Sequence, residues 1–262
     1  MNSIKFLGTA GARFVVMKQL RASGGIWLNL DGTQVLVDPG PGSLIRCLTS
    51  RPKLNPQELE GIILTHRHLD HSNDVNIMIE AMTNGGFKKK GVVFAPRDAL
   101  EDDPVILQYA RQQVEAVEIL KEKGRYEIGN IVFETPIHLK HGVETYGVNF
   151  KTKRATISLI TDTDYFPGLA SYFTGEILIV NVVLMDDKSH IEHLCLKEAE
   201  QLIKENKPRL AIMTHFGMGM VKAKPWEIAK TMTKKLGIEV IAARDGMQID
   251  IESYTNSYNS QH

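Results

Sequence analysis

In the run His66-Arg67-His68-Leu69-Asp70-His71, three imidazoles and a carboxylate crowd into six residues directly behind the apolar stretch Gly61-Ile62-Ile63-Leu64-Thr65. A short apolar run of this kind reads as a buried strand, and a strand normally ends in a turn of glycine, asparagine or serine. Here it ends in side chains that only a cation or a catalytic step favours. In extended chain, side chains two apart point the same way. His66 and His68 can therefore reach one cation while Asp70 and His71 reach another. A merely solvated loop would need four independent coincidences. The segment is expected to form the mouth of an active site, and the rest of the chain must fold so that further ligands converge on it.

The remaining composition narrows what that site can serve. With 262 residues, 43% of them hydrophobic, the chain has ample material for a buried core. Lys plus Arg and Asp plus Glu are 31 each, so no global field draws in nucleic acid or a membrane, and an anionic substrate must be attracted locally. The basic runs Lys88-Lys89-Lys90 and Lys151 to Arg154, with Lys222 and Lys224, read as solvated loops. Two distant cysteines, Cys47 and Cys195, indicate neither a disulfide framework nor a thiolate metal site, and this cysteine usage reads as cytoplasmic. The N-terminus lacks the apolar core of a signal peptide, and no uncharged apolar stretch approaches a membrane span.

Strands are expected at Ile4–Leu7, Ile26–Leu30 and Gln34–Asp38, then a helix at Ser43–Leu48, the strand before the histidine run, and a helix at about Asn73–Met82. Val92–Ala95 reads as a strand and Pro104–Lys123 as a long helix carrying Val105, Leu107, Val114, Val117 and Leu120 at helical spacing. A second series follows: strands at Ile131–Thr135, Ile137–Leu139, Tyr146–Phe150, Thr156–Ile160 and Glu176–Val183, then helices at Leu196–Glu205 and Pro225–Leu236 alternating with strands Arg209–Thr214 and Glu239–Ala242. Two sheets clothed by helices on both outer faces is the economical arrangement. We expect one domain over residues 1–251, and a polar tail over 252–262 without apolar periodicity.

Three further candidate ligands each sit just past an expected strand: His141, Asp162 and His215. Ligands on strand ends can converge on one edge of a layered sheet. At this point the chain resembles the metallo-beta-lactamase superfamily, whose hallmark is an HxHxDH run followed by an isolated His, an Asp and a final His. The resemblance covers almost the whole chain. It implies an α/β fold, a four-layer αββα sandwich, with one metal held by His66, His68 and His141, the other by Asp70, His71 and His215, and Asp162 bridging both. Asp38, in Leu36-Val37-Asp38-Pro39-Gly40, matches an acidic position of the family and is expected to orient a ligand.

Histidine and carboxylate without thiolate suit two divalent ions, with zinc the leading choice and manganese or iron as alternatives. Such a pair implies a dinuclear metal-dependent hydrolase that uses a metal-bridging hydroxide, with Asp70 accepting a hydrogen bond from it. A proton donor for the leaving group is still required. The segment His193-Leu194-Cys195-Leu196-Lys197-Glu198-Ala199 resembles the His-Leu-Ser-Leu-x-x-Ala segment of phosphodiesterase branches of the superfamily, which assigns that role to His193. Cys195 replaces the usual serine and is expected to weaken a helix cap. His190 falls outside the matched segment, and His138 and His262 are expected to be structural or incidental. Phe6-Leu7-Gly8-Thr9-Ala10-Gly11-Ala12-Arg13 resembles the opening of ribonuclease Z and of the cyclic phosphodiesterase of phosphonate breakdown, with Arg13 and Arg21 as weak phosphate-binding candidates.

The short segment between His141 and Asp162 leaves no room for the arm with which ribonuclease Z grips transfer RNA, and two cysteines cannot reproduce the structural zinc site of the phosphonate enzyme. The leading reading is therefore a phosphodiesterase acting on a small or cyclic phosphodiester. The alternatives are hydrolysis of a lactone or thioester, an iron-dependent thiol oxygenase of the same fold, and a scaffold that has lost catalysis. The complete set Asp70, His71 and His215 argues against the oxygenase, and retention of all seven ligands argues against a non-catalytic nucleic-acid-binding or scaffold protein.

Overall fold

The computed structural model describes residues 2–188 and 190–255, so His262 lies outside the described residues. The strands of the first sheet are β1 (Ser3–Phe6), β2 (Ile26–Leu30), β3 (Thr33–Val37), β4 (Gly61–Ile63), β5 (Val92–Ala95) and β6 (Ala116–Ile119). The second sheet takes β7 (Gly124–Ile128), β8 (Ile131–Thr135), β9 (Val148–Lys151), β10 (Thr156–Ile160), β11 (Ile177–Asn181), β12 (Leu210–Thr214) and β13 (Glu239–Ala242). The chain then returns to the first sheet as β14 (Gln248–Asp250). The strand orders are β14-β1-β2-β3-β4-β5-β6 and β13-β12-β11-β10-β9-β8-β7. Each sheet is antiparallel along one half and parallel along the other: β3 to β6 run parallel in the first, β10 to β13 in the second.

Period-two alternation along the central strands produces four layers. Val35 and Val37 of β3, Ile63 of β4 and Phe94 of β5 meet Phe133 of β8, Phe150 of β9, Ile179 of β11 and Ile212 of β12 in a core between the sheets. The intervening residues Leu36, Ile62, Val93 and Ala95 face outward, under helices α2 (Ser43–Thr49) and α4 (Val75–Met82). Leu178, Val180, Ala211 and Met213 face the other way, under α6 (Leu196–Asn206) and α8 (Pro225–Leu236). Central parallel strands are thus apolar on both faces, as burial between two layers requires. The αββα sandwich expected from the sequence is what the chain forms.

The shorter helices are α1 (Ala12–Met17), α3 (Leu69–Ser72), α5 (Gln108–Arg111), α7 (Met218–Lys222) and α9 (Glu252–Thr255). Proline stands in the first turn of α8, where its missing N–H costs nothing, and Gly237 closes the helix at φ 68°. Thr233 of α8 turns its hydroxyl onto the edge strand β13, accepting from Val240 N at 3.0 Å, with Ala229 O at 3.0 Å and Val240 O at 3.1 Å as alternative acceptors for its proton. That contact covers an edge that would otherwise offer free backbone groups to another chain.

Several expected elements are corrected. Pro104–Lys123 is not a long helix: it holds one helical turn, α5, and then the strand β6. Val114, Val117 and Leu120 stand three apart by coincidence. β6 pairs in parallel with β5, and Glu115 N and Leu120 N donate to Gly91 O and Ala95 O at 2.9 Å, so the sheet supplies the backbone partners that a helix would have supplied. β6 is a four-residue edge strand that packs Val117 and Ile119 on one face and exposes Glu118, too short a run for its alternation to stand out against helical spacing. Ile137–Leu139 forms no strand, only the isolated bridge His138 to Tyr146. The helix α1 within Thr9–Gly25 and the strand β7 are not among the expected elements. Residues Glu252–Thr255 of the expected tail form α9, whose first N–H, on Glu252, donates to Asp250 Oδ1 at 2.9 Å.

Candidate metal centre

The parallel halves of both sheets end at one rim, and the candidate ligands stand on the segments that leave it. Asp38 follows β3, His66 to His71 follow β4, Asp162 follows β10 and His215 follows β12. Ligand crevices of open α/β sheets lie at such carboxyl ends. Close backbone packing holds the segments together. A Cβ on Gly40 would come 2.0 Å from the carbonyl oxygen of Asp70, and one on Gly11 would come 2.1 Å from that of His215. Only glycine allows either approach. His215 itself adopts φ 56°, as does Asp38 at 51°, in the left-handed region.

The side chains converge as the sequence expects. One group of ligand atoms comes from His66, His68 and His141, a second from Asp70, His71 and His215, and a third from His141, Asp162 and His193, each within 4.8 Å of one another. Asp38, His66 and His71 form a fourth such group. His68 Nδ1 and His141 Nε2 approach to 3.1 Å, and His71 Nε2 and His215 Nε2 to 3.2 Å. Asp162 Oδ2 sits among four imidazoles: 3.4 Å from His71 Nε2, 3.5 Å from His215 Nε2, 3.5 Å from His193 Nδ1 and 3.9 Å from His66 Nε2. Asp70 Oδ2 lies 3.4 Å from His215 Nε2. The Asp70 and His71 pair is delivered by the helical turn α3 rather than by extended chain.

A second ring of hydrogen bonds fixes these rings in place. Asp38 Oδ1 accepts from Thr65 N at 2.7 Å, and its Oδ2 accepts from Thr65 Oγ1 at 2.7 Å and lies 2.9 Å from His71 Nδ1. With Nδ1 donating to Asp38, the lone pair of His71 Nε2 points into the cluster. Thr65 Oγ1 also contacts His66 Nδ1 at 3.1 Å, and His141 Nδ1 contacts Glu192 O at 3.0 Å. Asn181, the last residue of β11, donates to Asp162 Oδ1 at 2.8 Å. It was not singled out in the sequence. Its signal is a polar residue closing an apolar run, in the same place on a parallel strand as the acidic and imidazole candidates.

Burial and charge set the protonation of the cluster. Burial would raise the Asp162 carboxyl, but His215, His193 and His71 hold it well below the usual range. Burial likewise opposes Asp70, which His71 and His215 lower. His71 is lowered by burial and raised far more by Asp38, Asp70 and Asp162, while Asp162 and Asp70 overcome burial to lift His215 to about 9. Burial pushes His66 well down, aided by His71, and lowers His68 and His193. His66 Nε2 and His193 Nδ1 are buried and find no hydrogen-bond partner among the described residues. Such an orphan is costly unless something else binds it. Converging nitrogens, ionised buried carboxylates and an orphaned imidazole atom fit divalent cations bound by N and O donors.

Other candidates are placed elsewhere. Arg21 Nη1 donates to Thr9 Oγ1 at 2.9 Å and to Ala243 O at 3.3 Å, and its guanidinium lies over the Phe216 ring, so it braces the loop before β2. Arg13 is exposed on α1. The expected weakness at Cys195 is offset: Glu198 Oε2 accepts from Cys195 N at 2.8 Å, completing a capping box. His138 stacks edge-on against Tyr146.

Residues 33–216 match the beta-lactamase superfamily domain. An uncharacterized protein of Methanocaldococcus jannaschii is 32% identical over 257 residues, spanning 95% of this chain and 94% of that protein. Ribonuclease Z of Kineococcus radiotolerans is 33% identical over 109 residues, 42% of this chain and 33% of that enzyme. Among solved structures, the metallo-beta-lactamase fold protein YhfI of Bacillus subtilis superposes with a TM-score of 0.78 at 18% identity, covering 95% of this chain and 98% of that one. A diphosphatase of the PhnP family superposes with a TM-score of 0.69 at 20% identity, covering 95% and 96%. These two structures share the fold. Among the described residues no helix is long and apolar enough to cross a membrane.

Proposed function

Because the chain belongs to the beta-lactamase superfamily of metal-dependent hydrolases, we propose that it hydrolyses a small or cyclic phosphodiester at a centre of two divalent cations, zinc first among them. The observation that carries this reading is Asp162 Oδ2 standing within 3.4 to 3.9 Å of imidazole nitrogens from both ligand groups and from His193. One set of ligands would be His66, His68 and His141, the other Asp70, His71 and His215, with Asp162 shared. Bound there, the cations would supply a hydroxide at neutral pH and offset charge developing on phosphoryl oxygens.

The protein's own groups do the rest. Asp70 accepts a hydrogen bond from the attacking water and orients it toward phosphorus. His193 turns Nδ1 toward Asp162, whose charge favours the imidazolium against burial, and in that protonated form Nε2 can give a proton to the departing alkoxide. Asp38, through Thr65 and His71, keeps the ligand nitrogens aimed inward. The balanced charge and the short segment between His141 and Asp162 favour a small substrate over RNA. A ribonuclease among the relatives and a diphosphatase among the structural neighbours agree with phosphate chemistry. The same reading takes residues 1–251 as one catalytic domain working in the cytoplasm, with Cys47 and Cys195 as buried thiols.

The test is hydrolysis of a simple aryl phosphodiester by protein reconstituted separately with zinc, manganese and iron, beside Asp162→Ala and His193→Ala. Metal-dependent turnover lost in Asp162→Ala, and reduced in His193→Ala most for poor leaving groups, supports the assignment. Silence with every metal would overturn it in favour of carboxylic esters or thioesters.

A further inference from the structure

A cavity of about 390 Å³ opens beside the centre, lined by Ile137, His138, Lys140, His141, Phe166 and Glu192, with the buried Leu139 behind them. Its three walls grow directly out of one ligand group. Lys140 precedes His141, Phe166 follows Asp162 on the same loop, and Glu192 precedes His193, while His141, Asp162 and His193 bring their ligand atoms within 4.8 Å of one another. The cavity therefore lies on the side of the centre where His193 stands.

The walls are braced against one another before any ligand arrives. Lys140 N donates to Thr163 Oγ1 at 3.2 Å, Asp164 N donates to Lys140 O at 2.7 Å, and Lys140 Nζ closes on Asp164 Oδ2 at 2.6 Å. The contact of His141 Nδ1 with Glu192 O ties the third wall to the first. The lining is mixed in a specific way. Ile137 and Phe166 are apolar, the His138 and His141 rings are flat, and Lys140 and Glu192 add a donor and an acceptor at the rim. Apolar and aromatic walls with a few placed polar groups are the ordinary composition of a small-molecule site.

We propose that this cavity holds the leaving-group arm of the substrate, and that this arm is a planar heteroaromatic group with a hydrogen-bonding edge. The inference rests on the phosphodiester reading above. An ester whose phosphoryl group sits at the centre would lay one arm past His141 onto Phe166, with its bridging oxygen toward His193. The cavity accordingly selects among phosphodiesters by what the phosphate carries.

The experiment is a calorimetric titration of the zinc-loaded protein with adenosine monophosphate, butyl phosphate, methyl phosphate and adenosine, in the wild type, Phe166→Ala and Phe166→Leu. Adenosine monophosphate should bind the wild type more tightly than either alkyl phosphate. Phe166→Ala should lose about 5- to 150-fold of that affinity, the range that removal of a base-stacking ring produces. Phe166→Leu keeps apolar volume, so a loss of adenosine monophosphate affinity there, with methyl phosphate unaffected, assigns the effect to stacking rather than to folding. Butyl phosphate binding as tightly as adenosine monophosphate, or adenosine monophosphate affinity untouched in Phe166→Ala, overturns the proposal. Failure of the underlying reading looks different: no phosphate binds, yet adenosine alone binds the wild type and not Phe166→Ala. That result would keep the subsite and refute phosphate chemistry.

Discussion

Replacing Asp38 by asparagine changes one atom of a nearly buried side chain and reverses its hydrogen-bonding sense. The carboxylate receives Thr65 N on Oδ1, and Thr65 Oγ1 and His71 Nδ1 on Oδ2. The substituted amide can keep the first bond through its carbonyl oxygen, but its NH₂ then faces His71 Nδ1. To avoid two donors meeting, His71 must move its proton to Nε2, the nitrogen that points at His215. An Nε2 that carries a proton cannot bind a cation. The expected loss is about 10- to 100-fold in metal affinity, the usual effect of removing a group that orients a ligand, or about 1.4 to 2.7 kcal/mol. It should fall on the cation that Asp70, His71 and His215 are proposed to hold and spare the other. Competition with a chelator of known zinc affinity, followed for both binding steps, measures this directly. Wild-type affinity at both steps in Asp38→Asn, with the fold intact by circular dichroism, would refute the reasoning.

The metal-free protein should lose stability as pH rises. His215 titrates near 9 when folded because Asp162 and Asp70 overcome its burial, whereas the unfolded imidazole titrates near the reference value of about 6.5. Its contribution, on the order of 3 kcal/mol, is complete below about pH 6.5 and vanishes as pH passes through the folded value. Urea unfolding of the metal-free form from pH 6 to 10 should show the decline, and a flat profile would contradict the geometry of the cluster. Thr233→Val removes the hydroxyl that accepts from Val240 N at the edge of the second sheet and shares its proton between Ala229 O and Val240 O. It should cost about 1 to 3 kcal/mol and promote self-association, read by chemical denaturation and light scattering; unchanged stability and a monodisperse sample would count against the edge argument.

The centre was more legible in the sequence than the scaffold. His66, His68, Asp70 and His71 lie within one short run, and His141, Asp162 and His215 each sit beyond a strand or turn whose apolar residues marked its end. Chemistry that needs many polar ligands in few residues leaves a dense signal, and strands buried on both faces, such as β11 and β12, leave a clear apolar run. Asn181 stayed hidden because one amide after an apolar run has many innocent readings. The segment Pro104–Lys123 misled because a three-residue spacing arises as easily in a turn followed by an edge strand as along a helix, and only pairing with β5 decides between them. The helix α1 escaped for a related reason. It exposes Phe14 and Met17 and buries only Val15, so its residues carry no amphipathic pattern.

The measurement that tests the central claim most directly is the zinc content of the protein after dialysis against a limiting zinc buffer, with Asp162→Asn alongside. With His66, His68 and His141 proposed to hold one cation and Asp70, His71 and His215 the other, the account predicts two equivalents per chain in the wild type. Fewer should remain once the shared carboxylate is neutralised. A single equivalent in the wild type, or two equivalents unaffected by Asp162→Asn, would contradict a centre built around that oxygen.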